Sequence, residues 1–82
     1  MPPRPGAFAE LVVIPSENLL LVPRAELLQS AALTEPLACS WHAARLGLRL
    51  QDDPVENLTC VVLGGGAIGL GAALCLRAMG VQ

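Results

Sequence analysis

The sequence predicts an α/β fold class, on three observations. A fully apolar β-type run, Thr59-Cys60-Val61-Val62-Leu63, passes through Gly64-Gly65-Gly66 into a helix-period segment over residues 70–79. Two shorter apolar runs, at 11–14 and 19–22, flank the turn-forming Pro15-Ser16-Glu17-Asn18. Two stretches of good helix formers, at 24–33 and 35–47, lie between these blocks. The strand, glycine turn and helix at the end form a unit that belongs in a parallel sheet.

In order, Pro2-Pro3-Arg4-Pro5-Gly6 cannot pair in a sheet and reads as an extended lead-in. Leu11, Val12, Val13 and Ile14 predict a first strand, and Leu19 to Val22, closed by Pro23, predict a second. Ala25, Leu27, Leu28, Ala31 and Ala32 predict a short helix, interrupted before Pro36. Proline fits best in a first helical turn, so a second helix opens near Glu35 and Pro36 and runs towards Gly47. Glu35 there is favoured by the helix dipole as a first-turn charge. Residues 48–58, with Asp52, Asp53, Pro54, Glu56 and Asn57, read as an exposed connection and candidate domain boundary. Gly80 marks the end of the last helix.

At 82 residues and 8.5 kDa these residues hold at most one small domain, which excludes a two-domain enzyme within them. Five Lys plus Arg, two aromatic side chains and a pI of about 5.1 leave neither the basic field nor the stacking surface of a nucleic-acid binder. A mean hydropathy of +0.59 excludes intrinsic disorder. Cys39, Cys60 and Cys75 form an odd set with no C-x-x-C and no apolar targeting run ahead of them, which fits a reducing, cytoplasmic setting. Cys60 and Cys75 read as small core residues.

The segment with chemical content is Gly64-x-Gly66-x-x-Gly69, placed after a strand pattern and at the opening of a helix, the context of a dinucleotide fingerprint. Gly64 permits the tight turn, Gly66 lets the backbone approach a pyrophosphate, and Gly69 allows close helix packing. The helix N-terminus supplies free N–H groups and the positive dipole end, so no lysine is needed. The acidic residue that would bind the ribose falls about 20 residues beyond the glycines, past Gln82, so NAD and NADP are not separated. A competing reading is a non-enzymatic protein with a single membrane span, because no charge occurs between Glu56 and Arg77. Three adjacent glycines, each costing a helix about 1 kcal/mol, and the lack of a flanking basic cluster weigh against it.

Three blocks in this order resemble the zinc-dependent medium-chain dehydrogenase/reductase family, in particular its polyol and threonine dehydrogenase-like members. They are Gly6-Ala7-Phe8-Ala9-Glu10 leading into Val12-Val13-Ile14-Pro15 and Asn18-Leu19; Ala31-Ala32-Leu33-Thr34-Glu35-Pro36-Leu37-Ala38 with His42-Ala43; and Val61-Val62-Leu63-Gly64-Gly65-Gly66-Ala67-Ile68-Gly69-Leu70 with Arg77-Ala78-Met79-Gly80. The resemblance implies a fragment spanning the end of a GroES-like catalytic domain (1–50), a connection (51–58) and the start of a Rossmann NAD(P)-binding domain (59–82). It places Glu35 beside a catalytic zinc, Gly64, Gly66 and Gly69 on the pyrophosphate, and Ala67 and Ile68 next to the cofactor. It further implies hydride transfer between an alcohol or polyol and NAD or NADP, in a parent that is a homo-oligomer. The family's upstream Cys and His-Glu metal ligands, its four-cysteine lobe and everything after the first βα unit have no counterpart in these residues. A catalytic zinc takes three protein ligands, so the 82 residues alone are not expected to catalyse. Glu35, Cys39 and His42 share a helical face, but the face is apolar and His42 beside Trp41 reads as a structural histidine.

Overall fold

The computed structural model describes residues 6–82, and the lead-in expected at Pro2 to Pro5 lies outside the described residues. Helix is the only repeating structure in it. A 3-10 turn at Ser16–Asn18 takes the place expected for a turn between two strands. A second, Ala25–Leu27, runs into a single-turn helix α1, Leu28–Ala31. Helix α2, Thr34–Leu48, is followed by a 3-10 turn at Val55–Asn57 and then helix α3, Ala67–Ala78.

The helix expected over 24–33 is thus divided. No side chain caps either of its pieces, and Ala32 and Leu33 donate to Gln29 and Ser30 at 3.3 and 3.0 Å, three-residue bonds that tighten the chain. Helix α2 starts where proline dictates. Pro36 sits in its first turn, where a missing N–H costs nothing, with Glu35 at the positive end of the dipole and Arg45 in the last turn. Gly47 lies inside the helix rather than after it.

Helix α3 begins at Ala67, three residues earlier than the hydrophobic period indicates, directly from the glycine turn. Its end is a left-handed glycine cap. Gly80 takes φ +101°, Gly80 N–H donates to Arg77 O and Val81 N–H to Leu76 O, both at 3.1 Å, and Val81 is buried beneath the last turn.

The expected strands at 11–14, 19–22 and 59–63 are not formed: among the described residues the helical part of the α/β expectation is present and the sheet is not, its place being taken by extended segments. The backbone at Leu19 (φ −88°, ψ 131°) and Leu58 (φ −86°, ψ 139°) has extended geometry. A strand, however, requires a neighbour for its N–H and C=O groups, and no described residue pairs with these segments. Val13 and Leu63 are accordingly almost wholly exposed. The accessible surface is 7341 Å², whereas a compact monomer of this mass exposes about 4,700 Å². Among the described residues no helix is long and apolar enough to cross a membrane. Of the uncharged stretch between Glu56 and Arg77, only the part from Ala67 onward is helical.

Among the described residues the main packed unit is α2 against α3. Ser40 and Ala44 on α2, and Gly71 and Cys75 on α3, are the buried members, each pair four residues apart and so on one face. All four are small, which lets the helices approach closely. A Cβ at Gly71 would lie 2.7 Å from Ser40 Oγ, 3.3 Å from Ser40 Cβ and 3.5 Å from Leu37 Cδ2. The Cys75 thiol points to Leu37 O across the same seam, 4.0 Å away.

Gly71→Ala is therefore a contest of two effects. Alanine is the better helix former by about 1 kcal/mol, while overpacking a fixed neighbour costs about 1–3 kcal/mol. Ser40 is fully buried and held at its hydroxyl, so the clash prevails and Gly71→Ala is expected to lower the stability of the helix pair. In a Ser40→Ala background the 2.7 Å contact is gone and the same change becomes nearly neutral. A double-mutant cycle on amide-exchange protection in α3 measures this; additive effects would contradict it.

Candidate functional site: the glycine turn at the head of helix α3

Three backbone geometries make the turn. Gly64 has φ +104°, a region that a side chain disfavours, and reverses the chain as it leaves the extended run. Gly66 is the N-cap residue, extended at φ −81°, ψ −173°, and a Cβ built there meets nothing within 4 Å. Gly69 is the opposite case: its Cβ would run into the Gly64 carbonyl oxygen and lie 3.5 Å from Val62 Cγ1. Glycine at 69 thus lets the first turn of α3 sit against the loop that feeds it. Gly64 thus contributes a positive φ and Gly69 a close approach to Gly64, while the space beside Gly66 is open.

The first intrahelical donor is Leu70 N–H, to Gly66 O at 2.9 Å. Ahead of it, the N–H groups of Ala67, Ile68 and Gly69 belong to the set that an α-helix leaves unpaired, and no side chain caps them. Ala67 and Ile68 are exposed, Ile68 by 53%. No charged residue stands in the first turn of α3. Backbone donors and the helix dipole are what the site offers, a chemistry suited to an anion such as phosphate.

The two ends of the expected site sit on different helices. Glu35 is exposed in the first turn of α2, and its carboxylate accepts a hydrogen bond from the Cys39 thiol at 3.2 Å. That contact, and then the charge of Glu35, pushes the Cys39 thiol above its ordinary value of 9.0. Of the face expected to carry Glu35, Cys39 and His42, only the first two meet. Among the described residues no three His, Cys, Asp or Glu side chains come together as a metal site. A catalytic zinc needs three protein ligands, so these residues do not by themselves fit one.

Two residues that position the site have no part in the expectations from sequence: Ser40 and Gly71. Each carried a usable signal, since a glycine inside a helical pattern and a serine inside an apolar helix both go against propensity and call for a packing reason.

The Glu35–Cys39 pair has a pH consequence. Because the thiol is held up, the contact contributes while Cys39 is protonated, at pH below its ordinary value, and is lost as pH rises through the raised value. Alkylation of Cys39 near pH 9.0 is expected to be slower than in a Glu35→Gln variant, whose profile shifts to lower pH. Superimposable rate profiles for the two proteins would show that the carboxylate does not act on the thiol.

Known proteins show similarity along almost the whole chain. It is 40% identical over 78 residues to (R,R)-butanediol dehydrogenase of Saccharomyces cerevisiae, covering 94% of this chain and 19% of that protein. Galactitol 1-phosphate 5-dehydrogenase of Escherichia coli K12 is 32% identical over 79 residues, 96% of this chain and 21% of its own. Sorbitol dehydrogenase of Halalkalibacterium halodurans is 40% identical over 76 residues, 92% and 20% respectively. The chain spans about a fifth of the length of these relatives. No protein-family model matches it, and no solved structure does.

Proposed function

We propose that this chain is a segment of a zinc-type, NAD(P)-dependent medium-chain alcohol or polyol dehydrogenase. The observation that carries the reading is the glycine turn: a left-handed Gly64, an unobstructed Gly66, a Gly69 folded onto Gly64, and first-turn N–H donors of α3 directed at the same mouth. Its support is similarity over 92–96% of the chain to butanediol, galactitol-phosphate and sorbitol dehydrogenases. On this reading residues 1–50 end a GroES-like domain, 51–58 connect, and 59–82 open a Rossmann domain whose sheet takes up the extended run at 59–63. The parent acts on a small alcohol or polyol, and we place it in the cytoplasm as a homo-oligomer.

Within this proposal, the chain's own residues bind and orient the cofactor. Gly64, Gly66 and Gly69 shape the cradle, Ala67 and Ile68 line it, and the backbone N–H groups of the first turn hold the pyrophosphate. The nicotinamide, when bound, accepts or donates the hydride. Glu35 enters as a neighbour of the metal, which needs donors beyond those described here.

Gly66→Val is a clean test because valine is compatible with φ −81°, ψ −173° and its Cβ meets no protein atom within 4 Å. A loss of binding at unchanged melting temperature then belongs to the ligand. In the complete polypeptide NADH or NADPH binding is expected to weaken by about tenfold or more, since charge-assisted hydrogen bonds of about 1.5–3 kcal/mol are displaced. Zinc content should stay unchanged. Glu35→Ala is expected to do the reverse, disturbing zinc content or turnover and sparing cofactor affinity. Unchanged dinucleotide affinity in Gly66→Val, measured by fluorescence titration, would overturn the reading.

A further inference from the structure

Ser40 is wholly buried, yet it is a hydroxyl in the middle of an apolar helical seam. Its Oγ lies 2.9 Å from Pro36 O, one turn back on α2, and 3.1 Å from Ile68 O, in the first turn of α3. The contact to Pro36 is an ordinary local bond for a helical serine. The contact to Ile68 spans 28 residues and reaches the glycine turn's own helix. The position is also sterically set, because Ser40 Oγ lies 2.7 Å from the place a Cβ on Gly71 would take.

The Ile68 carbonyl belongs to the same peptide group as the Gly69 N–H. That N–H is among the unpaired donors at the head of α3. A donor placed on a carbonyl withdraws electron density from its peptide and strengthens the N–H at the other end, as in any hydrogen-bonded chain of amides. The single hydroxyl proton of Ser40 is shared between the Pro36 and Ile68 carbonyl oxygens, and its share on Ile68 O is passed through that peptide to the Gly69 N–H, one of the free donors at the head of α3. The same bond ties the first turn of α3 to α2, the helix that carries Glu35.

We infer that Ser40 is a positioning residue for the pyrophosphate site: its hydroxyl orients and polarises the peptide joining Ile68 and Gly69, so that the Gly69 N–H is presented to a dinucleotide. The inference rests on the dinucleotide reading above and adds to it a residue on a different helix, 24 positions before the first glycine of the turn. Gly71 is its necessary counterpart, since the serine cannot reach Ile68 unless α3 lies this close.

The test compares the complete polypeptide with Ser40→Ala, Ser40→Cys and Gly66→Val. Ser40→Ala removes the hydroxyl without adding bulk, and Ser40→Cys fills the site with a somewhat larger, weakly donating thiol, so a loss shared by both does not come from a cavity alone. Titration with NADH and NADPH is expected to show affinity reduced about threefold to tenfold in both Ser40 variants, in keeping with the weakening of one hydrogen bond. The amide nitrogen resonance of Gly69 is expected to move in the same direction in both variants without ligand, whereas a role confined to helix spacing would move it in opposite directions, since alanine loosens the seam and cysteine crowds it. Wild-type affinity in both Ser40 variants, with Gly66→Val impaired, overturns the role of Ser40 and leaves the dinucleotide reading standing. Failure of the wild-type protein to bind either nucleotide overturns both.

Discussion

The close approach of Ser40 to Gly71 is the constraint on which the ordered part of this molecule depends. A fully buried serine and a glycine, 31 positions apart, let two helices meet with less than a side chain between them. Ala44 and Cys75 continue the seam, and Val81 is the largest apolar side chain among the buried residues. Cohesion by small residues comes from fit rather than from transferred area: little hydrophobic surface is removed from water, and complementarity with one satisfied hydroxyl does the holding. The glycine turn inherits its placement from this seam. Ile68, Gly69 and Gly71 follow one another on α3, so whatever fixes Gly71 against α2 also fixes the mouth of the helix.

Everything outside the seam is governed by a lack of partners among the described residues. The Cα radius of gyration is 16.4 Å, against about 12 Å for a compact chain of this length. The extra surface, roughly 2,600 Å² over a compact monomer, is in the range an extensive interface buries. Apolar extended runs with open edges are prone to associate, and burial of 59–63 within a larger sheet is the arrangement in which Val61 and Leu63 stop being exposed.

What was legible in the sequence follows from how local each signal is. Pro36 and Glu35 opening α2, Gly80 closing α3, and the separate tasks of Gly64 and Gly69 all involve residues within a turn of one another, and local chemistry determines them. The start of α3 at Ala67 was misplaced because hydrophobic period says nothing of a glycine cap, whose N-terminal turn needs no apolar stripe. The three strands are absent for a different reason. Val12, Leu20 and Val61 have the side chains that suit a pleated surface, but pattern reports only suitability, and a strand exists only with a hydrogen-bonded neighbour. Ser40 and Gly71 escaped notice because their meaning is joint: each alone is a poor helix residue, and only the packed pair explains both.

The central claim, that the first turn of α3 is an anion-binding end built for a pyrophosphate, is tested most directly by following backbone amides one by one. In the isotope-labelled protein, titration with ADP-ribose should move the amide resonances of Ala67, Ile68 and Gly69 most and those of α2 beyond Ser40 little, with the Gly69 proton shifting downfield as it gains a charged acceptor. Saturating shifts confined to the head of α3 are the predicted result. Shifts centred elsewhere, or none while the Ser40–Gly71 contact remains intact, would contradict the account.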